Sequence, residues 1–382
     1  MRSEQEQFIY QTAIEAKDWL SNHALPTWFD FGLDRNHGGF YEYLTQADLR
    51  CHADFKRVRV LARQIYAFST AYRMGHSTCR FAVEHGLAFL FDKVLKQSGK
   101  YPNRLNLRGD TVDDTLDLYD LSFCLFALAH AYNVIPDTRI HDEAIILTHF
   151  LHEQFRHPKG GFIESQPATY PRRQNPHMHF FEAALQWRIN TGAPLFCELT
   201  DELASLFFEK FYNHSTGALL EYFDDFLIPL KAPEQRLTEP GHHFEWMWLL
   251  DCYARASSNE LPSFKKLYEF AIDYGFDSEE NLLLGEVFDD GSQKRDSVRL
   301  WPHTEWIKAE VALTRYQESN RLGLAWSALK RFLDCPRKGL WYERYNFANR
   351  TFMDEPAPAS SFYHIVLAIE TLDKRVKELE VG

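Results

Sequence analysis

One stretch of the chain places ionisable side chains at the entrance to an apolar and aromatic segment. His242 and Glu245 stand three residues apart, so on a helix they share one face, and His243 lies beside them. The Pro-Gly pair at 240–241 is typical of a helix start, and residues 244–250 supply the apolar part. Burying these groups without partners is unfavourable. Because imidazole exchanges protons near neutral pH, the stretch indicates acid/base chemistry, as at a carbon beside a carbonyl group.

Histidines recur at the entrances of other apolar helical patterns. The group consists of His177, His179, His242, His243, His303 and His364. A lone histidine in a pattern as apolar as that around His364 is usually a satisfied core residue, but its place at the start of the last predicted helix favours a functional role. Asn175 looks like a helix N-cap four residues before His179. His177 and His179 could bind a metal ion or donate hydrogen bonds to hydroxyl groups, and both alternatives stay open here.

Further polar candidates stand at other predicted helix starts. Arg63 falls on the mostly apolar face of 60–71, so its guanidinium is expected to point inward, where it could hold an oxygen-rich substrate or an enediolate. A surface basic cluster is the alternative. Tyr119 offers a ring and a hydroxyl that suit a sugar, and Glu305 is expected to face inward. The aspartates at 113–114 are predicted to cap a helix rather than to act in catalysis.

Helical periodicity dominates the chain between these residues. Apolar residues recur at three- and four-residue steps, which predicts amphipathic helices. The predicted helices cover residues 8–20, 60–72, 81–95, 116–132, 143–155, 180–190, 199–211, 244–256, 264–274, 304–317, 323–332 and 361–376. They form pairs separated by short segments that combine glycine with aromatic or aliphatic residues, here called the Gly–aromatic segments, of which 99–102 is a weaker and 281–286 a degenerate case. These are residues 38–42, 99–102, 160–164, 217–222, 281–286 and 339–343.

A repeat of roughly 55 to 65 residues therefore runs through the chain. Six helical hairpins without a long linker predict an all-α fold, an (α/α)6 barrel in which inner helices ring a cavity and outer helices cover them. The Gly–aromatic segments are predicted to form short β-hairpin-like loops. We expect residues 1–382 to form one catalytic domain. An open α-solenoid is the competing arrangement.

Composition excludes several classes of protein. The 382 residues are 45% hydrophobic and 15% aromatic, which disordered chains are not, and the net charge of -12 comes without a basic tract for nucleic acid or membrane surfaces. No run approaches the length of a membrane span, and the polar first residues lack a secretory apolar core. The six cysteines have no C-x-x-C spacing and are expected to be free thiols in a cytoplasmic protein.

Taken together, these motifs resemble the N-acylglucosamine 2-epimerase superfamily over almost the whole chain. The matching segments are Lys56…Arg63-Gln64-x-Tyr66, Leu118-Tyr119-Asp120-x2-Phe123, Asn175-x3-His179, Pro240-Gly241-His242-x2-Glu245-Trp246, Trp301-Pro302-x-Thr304-Glu305 and Ser361-Phe362-Tyr363-His364. The resemblance implies an (α/α)6 barrel that acts on free sugars without a metal or other cofactor. It implies that His242 and His364 are the acid/base pair. It also places Arg63, Tyr119, Asn175, His179, Glu245, Trp301 and Glu305 in the sugar site.

Within that superfamily, Pro-Gly-His-x-x-Glu-Trp and the 299–306 segment are most similar to the D-mannose isomerase branch. The expected reaction interconverts D-mannose and D-fructose, or related aldoses such as lyxose, through a cis-enediol. His242 is expected to move the proton between C2 and C1, with His364 opening the ring. Trp246 and Trp306 are expected to restrict the pocket to monosaccharides. The expected partner is this small sugar alone, without nucleic acid or membrane, and the protein is a monomer or a homo-oligomer.

Three other classes stay open on the sequence. A sugar 2-epimerase, of the mannose/glucose or N-acylglucosamine type, would share the intermediate. A glycoside hydrolase on the same barrel would use carboxylates such as Asp113, Glu245 and Glu305. A metal-dependent isomerase would use His177, His179, His242 and Glu245 as ligands. A non-catalytic sugar-binding protein does not account for the number of histidines.

Overall fold

The computed structural model describes residues 3–96, 100–257, 259–316, 318 and 321–381. Within them, α-helices in two layers account for most of the chain. They are α1 (Glu4–Trp19), α2 (Leu25–Phe31), α3 (Val58–Arg73), α4 (Cys79–Phe89), α5 (Leu118–Tyr132), α6 (Thr138–Gln154), α7 (Gln174–Thr191), α8 (Pro194–Leu206), α9 (Pro240–Ala256), α10 (Lys265–Gly275), α11 (Trp301–Leu313), α12 (Leu322–Leu333) and α13 (Ala359–Val381). π-Helical turns continue α1, α4 and α8 at Leu20–Ala24, Leu90–Leu95 and Phe207–Phe211. Short 3₁₀ helices occupy Pro233–Gln235 and Thr314–Tyr316.

The inner ring consists of α3, α5, α7, α9, α11 and α13, each packed against the next, and α13 packs against α3 to close it. The other helices form the outer layer. Burial follows this division. The inner helix α5 is buried from Leu118 to Ala131 except at Tyr119, whereas the outer helix α6 buries one face through Ile140, Ala144, Leu147, Thr148 and Leu151. The predicted all-α barrel is confirmed, and the open solenoid is wrong.

Short strands pair each repeat with the next and the last repeat with the first. This circle of strand pairs, which consists of separate small sheets, is here called the strand ring. The strands are β1 (Tyr43–Leu44), β2 (Phe55–Arg57), β3 (Arg104–Asn106), β4 (Thr111–Asp113), β5 (Leu116–Asp117), β6 (Ser165–Gln166), β7 (Arg172–Arg173), β8 (Tyr222–Phe223), β9 (Leu237–Thr238), β10 (Phe276–Asp277), β11 (Leu282–Leu283), β12 (Glu286–Phe288), β13 (Gln293–Lys294), β14 (Ser297–Arg299), β15 (Arg344–Asn346), β16 (Thr351–Phe352) and β17 (Ala357–Pro358). The strand before each inner helix pairs with a strand of the following repeat. These antiparallel pairs are β2–β3, β5–β6, β7–β8, β9–β12, β14–β15 and β17–β1.

Four other pairs are local hairpins, namely β3–β4, β10–β11, β12–β13 and β15–β16. Among the described residues, only the segment at 281–286 takes part in these hairpins, whereas 38–42, 160–164 and 217–222 form isolated β-bridges instead of the predicted hairpins. The pairs between repeats matter more for the site because they position the inner-helix N-termini. The first N–H groups of a helix lack partners within it. The N–H of Ala359 donates to the carbonyl of Glu42 (2.9 Å), and that of Leu118 donates to Glu164 (2.8 Å). Each acceptor is the glutamate that ends a Gly–aromatic segment, so these segments hold the helix starts at one mouth of the barrel.

Predicted boundaries differ from the structure mainly at N-termini. The helix expected at 180–190 begins at Gln174, because proline at position 176 is compatible with the first turn. Asn175 therefore lies inside the helix after the N-cap Arg173, and its predicted capping role is wrong. Asp117, not the pair at 113–114, caps α5 by accepting from the Tyr119 N–H (2.8 Å). The predicted segment 99–102 starts at Gly99 and the predicted helix 304–317 ends at Gln317, both outside the described residues.

The remaining global expectations concern membranes and thiols. Among the described residues, every helix is too short or too polar to cross a bilayer. All six cysteines are free thiols, as predicted.

Candidate active site

The inner helices place one set of side chains at a single level of the barrel. Each member stands five residues after the first residue of α3, α5, α7, α9 or α13, and four after that of α11. The set consists of Arg63, Phe123, His179, Glu245, Glu305 and His364. All six are buried. The equal offset follows from the common start of the helices at the strand ring, and it brings polar groups from distant parts of the sequence to the barrel axis.

His242 lies in the first turn of α9 and is held as a cation. Its Nδ1–H donates to Glu221 Oε1 at 2.9 Å, and Glu239 Oε1 lies 3.8 Å away. Burial acts to lower the pKa of His242, but the carboxylates of Glu221 and Glu239 outweigh it and raise this pKa to about 10. Gln174 Nε2 donates to the other oxygen of Glu221 (2.9 Å) and so fixes the carboxylate. His242 is therefore suited to donate a proton or a charged hydrogen bond.

His364 has the opposite protonation. Its Nδ1–H donates to Glu305 Oε1 at 2.9 Å, which leaves Nε2 as an acceptor. Burial first, and then the positive charges of Arg63 and Lys308, hold the pKa of His364 well below its usual value. Lys308 forms a buried ion pair with the second oxygen of Glu305 and locks that carboxylate in place. A neutral imidazole with a free Nε2 can act as a base.

Trp301 lies beside both histidines. Its ring centroid lies 4.9 Å from that of His242 and 5.6 Å from that of His364. A Cβ at Gly241 would lie 2.5 Å from the Trp301 ring, so only glycine allows this packing. Two imidazoles whose environments drive their pKa values apart, both beside one aromatic ring, can supply an acid and a base to the same site.

Arg63 belongs to the same level of the barrel as His364. It donates to the Tyr119 hydroxyl (2.5 Å) and to the Ser360 carbonyl (3.2 Å), and its Nε is buried without a hydrogen-bond partner. The guanidinium carbon lies 4.0 Å from the ring centre of Phe123. Asn175 Oδ1 is likewise buried without a partner. Unpartnered buried polar atoms around a cavity indicate where a ligand would bind.

His179 and Glu245 complete the floor of the site. His179 Nδ1–H donates to Glu182 at 3.0 Å, and the other oxygen of Glu182 accepts from the Tyr363 hydroxyl at 2.5 Å. Both oxygens of Glu245 are buried without a hydrogen-bond partner. Burial first, and then the nearby carboxylate of Glu305, raise the pKa of Glu245 well above its usual value. The raised pKa favours the protonated form of Glu245, which can donate a hydrogen bond.

The structure thus places all nine predicted site residues around one end of the barrel axis. Three other histidines of the sequence pattern bond to the backbone instead. They are His177, His243 and His303. Each accepts a hydrogen bond at Nε2 from a backbone N–H of a Gly–aromatic segment, at 3.0, 3.0 and 3.1 Å, and each donates from Nδ1 to a backbone carbonyl at the helix start. These histidines are structural, so His177 is excluded from the metal-ligand set expected for the rival isomerase.

Other residues singled out by sequence also lie away from the site. Lys56 is buried in an ion pair with Asp34 (2.8 Å). Asp113, a candidate acid for the hydrolase alternative, lies in β4, where it accepts from the Thr115 N–H. Trp246 and Trp306 pack between the inner and outer layers and do not line the cavity, so the expectation that they restrict the sugar is wrong. The sequence pattern does not reveal on which face of a wholly buried helix such a ring lies.

Comparisons with known proteins agree with this geometry. The family model for N-acylglucosamine 2-epimerase matches residues 38–368. The chain belongs to the N-acylglucosamine 2-epimerase family. It is 37% identical to the mannose-6-phosphate isomerase of Rhizobium meliloti (strain 1021), over 97% of this chain and 99% of that protein. The family resemblance inferred from the motifs is confirmed, and the protein is an enzyme of this family of sugar epimerases and isomerases.

Solved structures share the barrel of this family member. A cellobiose 2-epimerase from Spirochaeta thermophila DSM 6192 superposes with a TM-score of 0.87 at 20% identity, covering 99% of this chain and 100% of that one. A D-mannose isomerase superposes with a TM-score of 0.84 at 19% identity, covering 98% and 100%. At these identities the likeness concerns the fold.

Sequence reasoning missed several residues that this epimerase-family site uses. They are Gln174, Glu182, Glu221, Lys308 and Tyr363. Glu221 was detectable, because it stands near the end of a Gly–aromatic segment, as Glu42, Glu164 and Glu343 do at the end of theirs. The others act through partners on different helices, which the sequence does not identify.

Three groups of this site could hold a metal ion by their spacing. They are His179–Glu182–Glu245, Glu221–Glu239–His242 and Glu245–Glu305–His364, with the ligand atoms of each group within 4.8 Å of one another. Positive charge already lies beside the last group, because Lys308 pairs with Glu305. A chelation experiment therefore tests whether the enzyme requires a metal.

Proposed function

We propose that this protein is a metal-independent aldose–ketose isomerase that interconverts D-mannose and D-fructose. Related aldoses such as lyxose are candidate substrates of the same kind. The observation that carries the proposal is the pair His242 and His364, which both adjoin Trp301 and whose pKa values are shifted in opposite directions. Isomerisation needs a base for the proton on C2 and a donor for the oxygen on C1.

The proposed reaction begins with opening of the sugar ring. The charged His242 protonates the ring oxygen as its bond to C1 breaks, and the proton released by the C1 hydroxyl restores the charge of His242. Neutral His364 then takes the proton from C2 through Nε2. The electron pair of the C–H bond forms the C1–C2 double bond, and the C1 oxygen becomes an enediolate that His242 and Arg63 stabilise. His364 returns the proton to C1, the proton of the C2 hydroxyl passes to the C1 oxygen, and the ketose forms.

This assignment reverses the roles that the sequence suggested for the two histidines. The sequence offered no basis for their pKa values, whereas the carboxylates beside His242 and the cations beside His364 favour an acid and a base respectively. Glu245 is proposed to donate a hydrogen bond to a sugar hydroxyl. His179 and Asn175 are proposed to bind further hydroxyls.

A sugar 2-epimerase is the second candidate. It shares the enediol but returns the proton to the opposite face of C2, which requires a second proton carrier. The presence of a second imidazole, that of His242, beside Trp301 favours this alternative, because it offers another proton carrier near His364.

Deuterium labelling in D2O distinguishes the isomerase from the 2-epimerase. Chelator-treated protein is incubated with D-mannose and the products are followed by NMR. Fructose that carries deuterium at C1 is expected, whereas glucose labelled at C2 would favour the epimerase. A rate that falls on chelation and returns with a divalent cation would contradict the absence of a metal.

The histidine assignment is tested with His364→Ala and His242→Ala. Each is expected to lower kcat by at least about 100-fold, the range of general acid–base catalysis, while the circular dichroism spectrum is retained. His52→Ala is the matched control, because His52 is exposed. Wild-type protein that converts no free hexose would contradict the proposed substrate.

A further inference from the structure

A second cavity, here called the back cavity, lies at the end of the barrel opposite the mouth. Its volume is about 460 Å³, which is typical of small-molecule pockets. Its lining comes mainly from the C-terminal halves of α5, α7, α9 and α13, whereas the candidate active site is built near their N-termini. Of the site residues named above, Glu182 alone lines it, and both oxygens of Glu182 already accept from His179 and Tyr363. The back cavity therefore adjoins the active site without sharing its free polar groups.

His130 supplies an unused hydrogen-bond donor in the wall of the back cavity. Its Nδ1 accepts from Arg73 Nη2 at 2.9 Å, because a guanidinium has only donors. Burial first, and then the charge of Arg73, hold the pKa of His130 well below its usual value, which favours the neutral imidazole with its proton on Nε2. Within the described part of the chain, this Nε2 is buried without a hydrogen-bond partner. An unpaired buried donor beside a cavity indicates that an occupant supplies an oxygen acceptor.

Lys374 supplies a cation farther from the mouth. Arg73 also donates to Glu370 Oε1 (2.8 Å), and Lys374 Nζ lies 3.1 Å from the same oxygen. His130, Arg73, Glu370 and Lys374 thus form one contiguous row of polar groups. Lys374 stands four residues after Glu370 on α13, which is about 6 Å along the helix axis. Because its side chain is 55% exposed, its ammonium keeps donors for a ligand at the outer end of the cavity.

The carboxylates of the back cavity are already engaged. Glu370 is held by the two cations just named, and Glu378 accepts from Arg315 at 2.9 and 3.1 Å. Arg255, by contrast, adds a partly exposed guanidinium whose Nη1 makes no hydrogen bond to any described residue. The unused hydrogen-bonding capacity of the wall is therefore mainly that of donors. A carboxylate matches cationic donors best, because charge-assisted hydrogen bonds are stronger than neutral ones.

Much of the remaining wall is apolar. It includes Phe126, Leu185, Leu249 and Leu367, which are all buried. Apolar walls with a few polar groups at fixed positions are typical of small-molecule sites. The occupant therefore has an apolar body as well as oxygen acceptors, which distinguishes it from a free sugar.

We propose that the back cavity binds a small carboxylate with an apolar body and an oxygen acceptor about one helical turn from the carboxylate. The carboxylate binds Lys374, and the second oxygen accepts from His130 Nε2. An acid with a keto group on its fourth carbon has this chemistry. The proposal concerns a second binding site and does not depend on which sugar the enzyme converts.

Matched ligands test the two contacts separately. The probes are 4-oxo-4-phenylbutanoate, 4-phenylbutanoate, which lacks the keto oxygen, and the methyl ester of the oxo acid, which lacks the charge. Calorimetry measures their binding to the purified protein. Wild type is expected to bind the oxo acid about 3- to 10-fold more tightly than 4-phenylbutanoate, as one neutral hydrogen bond gives, and about 10-fold more tightly than the ester.

Two variants connect these preferences to residues. His130→Phe keeps an aromatic ring but removes the donor, so the preference for the oxo acid over 4-phenylbutanoate should vanish while the preference over the ester stays. Lys374→Met should do the reverse and weaken binding of the oxo acid about 10-fold. Lys377→Met is the matched control and should leave all three affinities unchanged, because this lysine of α13 is similarly exposed, pairs with Asp373 and does not line the cavity.

Three results would overturn the proposal. Wild type that shows no saturable binding of the oxo acid at millimolar concentrations excludes this class of ligand. Equal affinity of wild type for the oxo acid and 4-phenylbutanoate excludes the contact with His130. Binding that survives Lys374→Met but is lost in Arg63→Met would place the carboxylate in the active site instead. Each result is read from binding alone, so the outcome is independent of the proposed isomerase reaction.

Discussion

At the scale of single residues, neighbours decide what each histidine can do. His242 and His364 are buried imidazoles in the first and second turns of their inner helices, and burial alone would lower the pKa of both. Two carboxylates reverse this effect at His242, whereas positive charges reinforce it at His364. One residue type therefore supplies an acid and a base within the same site.

Glu221→Gln tests this argument through the pH profile. Removing the carboxylate bonded to Nδ1 takes away a cause of the raised pKa of His242, so the protonated form is lost at lower pH. We expect the alkaline limb of kcat/KM to move from about 10 toward the usual histidine value. The acidic limb, which we assign to His364, should stay in place. An unchanged alkaline limb would show that another group titrates there.

At the scale of helices and strands, a repeated set of backbone hydrogen bonds holds the N-termini of the inner helices in place. The strand ring connects each repeat to the next, and His177, His243 and His303 bridge the Gly–aromatic segments to helix starts. The repeats without such a histidine have apolar residues at the corresponding positions, for example Leu61 and Phe362. The three histidines supply hydrogen bonds to backbone groups that would otherwise be buried without partners.

His303→Leu is expected to lower the free energy of unfolding at pH 7. It leaves the Leu283 N–H without its partner, which costs about 1–3 kcal/mol for a buried group, while the Leu300 carbonyl keeps the backbone N–H of residue 303. Urea unfolding measures the change. His52→Leu is the control and should have little effect, because His52 is exposed.

The difference in the free energy of unfolding between wild type and His303→Leu is predicted to depend on pH. Burial lowers the pKa of His303 to about 3, so the fold favours the neutral imidazole. Its contribution to stability is complete above the unfolded pKa, about 6.5, and is lost as pH falls toward 3. The difference in stability between wild type and His303→Leu should therefore shrink from pH 7 to pH 5. A difference that grows on acidification would contradict a neutral His303.

At the scale of the whole molecule, both the inner helices and the strand pairs connect the last repeat to the first. The inner ring closes where α13 meets α3, and the strand ring closes through β17 and β1. Gln64 joins the two ends of the chain, since its Nε2 donates to the Ala359 carbonyl (2.8 Å). A closed ring makes the first and last repeats depend on each other, unlike the ends of an open solenoid.

Gln64→Leu tests this closure. It removes this buried side-chain hydrogen bond and should lower the free energy of unfolding by about 0.5–1.5 kcal/mol, the net contribution of one hydrogen bond. Because the ring is closed, we expect one urea transition, with circular dichroism and tryptophan fluorescence curves that coincide. Separate transitions for the two probes would indicate that the terminal repeats unfold independently.

Much of this architecture follows from the sequence because its signals are local. Helical periodicity and the Gly–aromatic segments depend on near neighbours, so they predict the helices, the repeat and the barrel. The inner helices start at equivalent places, which is why residues such as Arg63, His179 and His364 meet at one level. Boundaries such as the start of α7 were less predictable, since hydrogen bonds from the adjacent repeat help to determine them.

Only the tertiary structure decided the chemical state of the site residues. Glu305 and His364 are 59 residues apart in sequence and 2.9 Å apart in space. A pKa depends on burial and on charges across space, and these follow from which helices adjoin. The same reason explains why His243, next to His242 in the chain, bonds only to backbone, and why Trp246 packs away from the cavity.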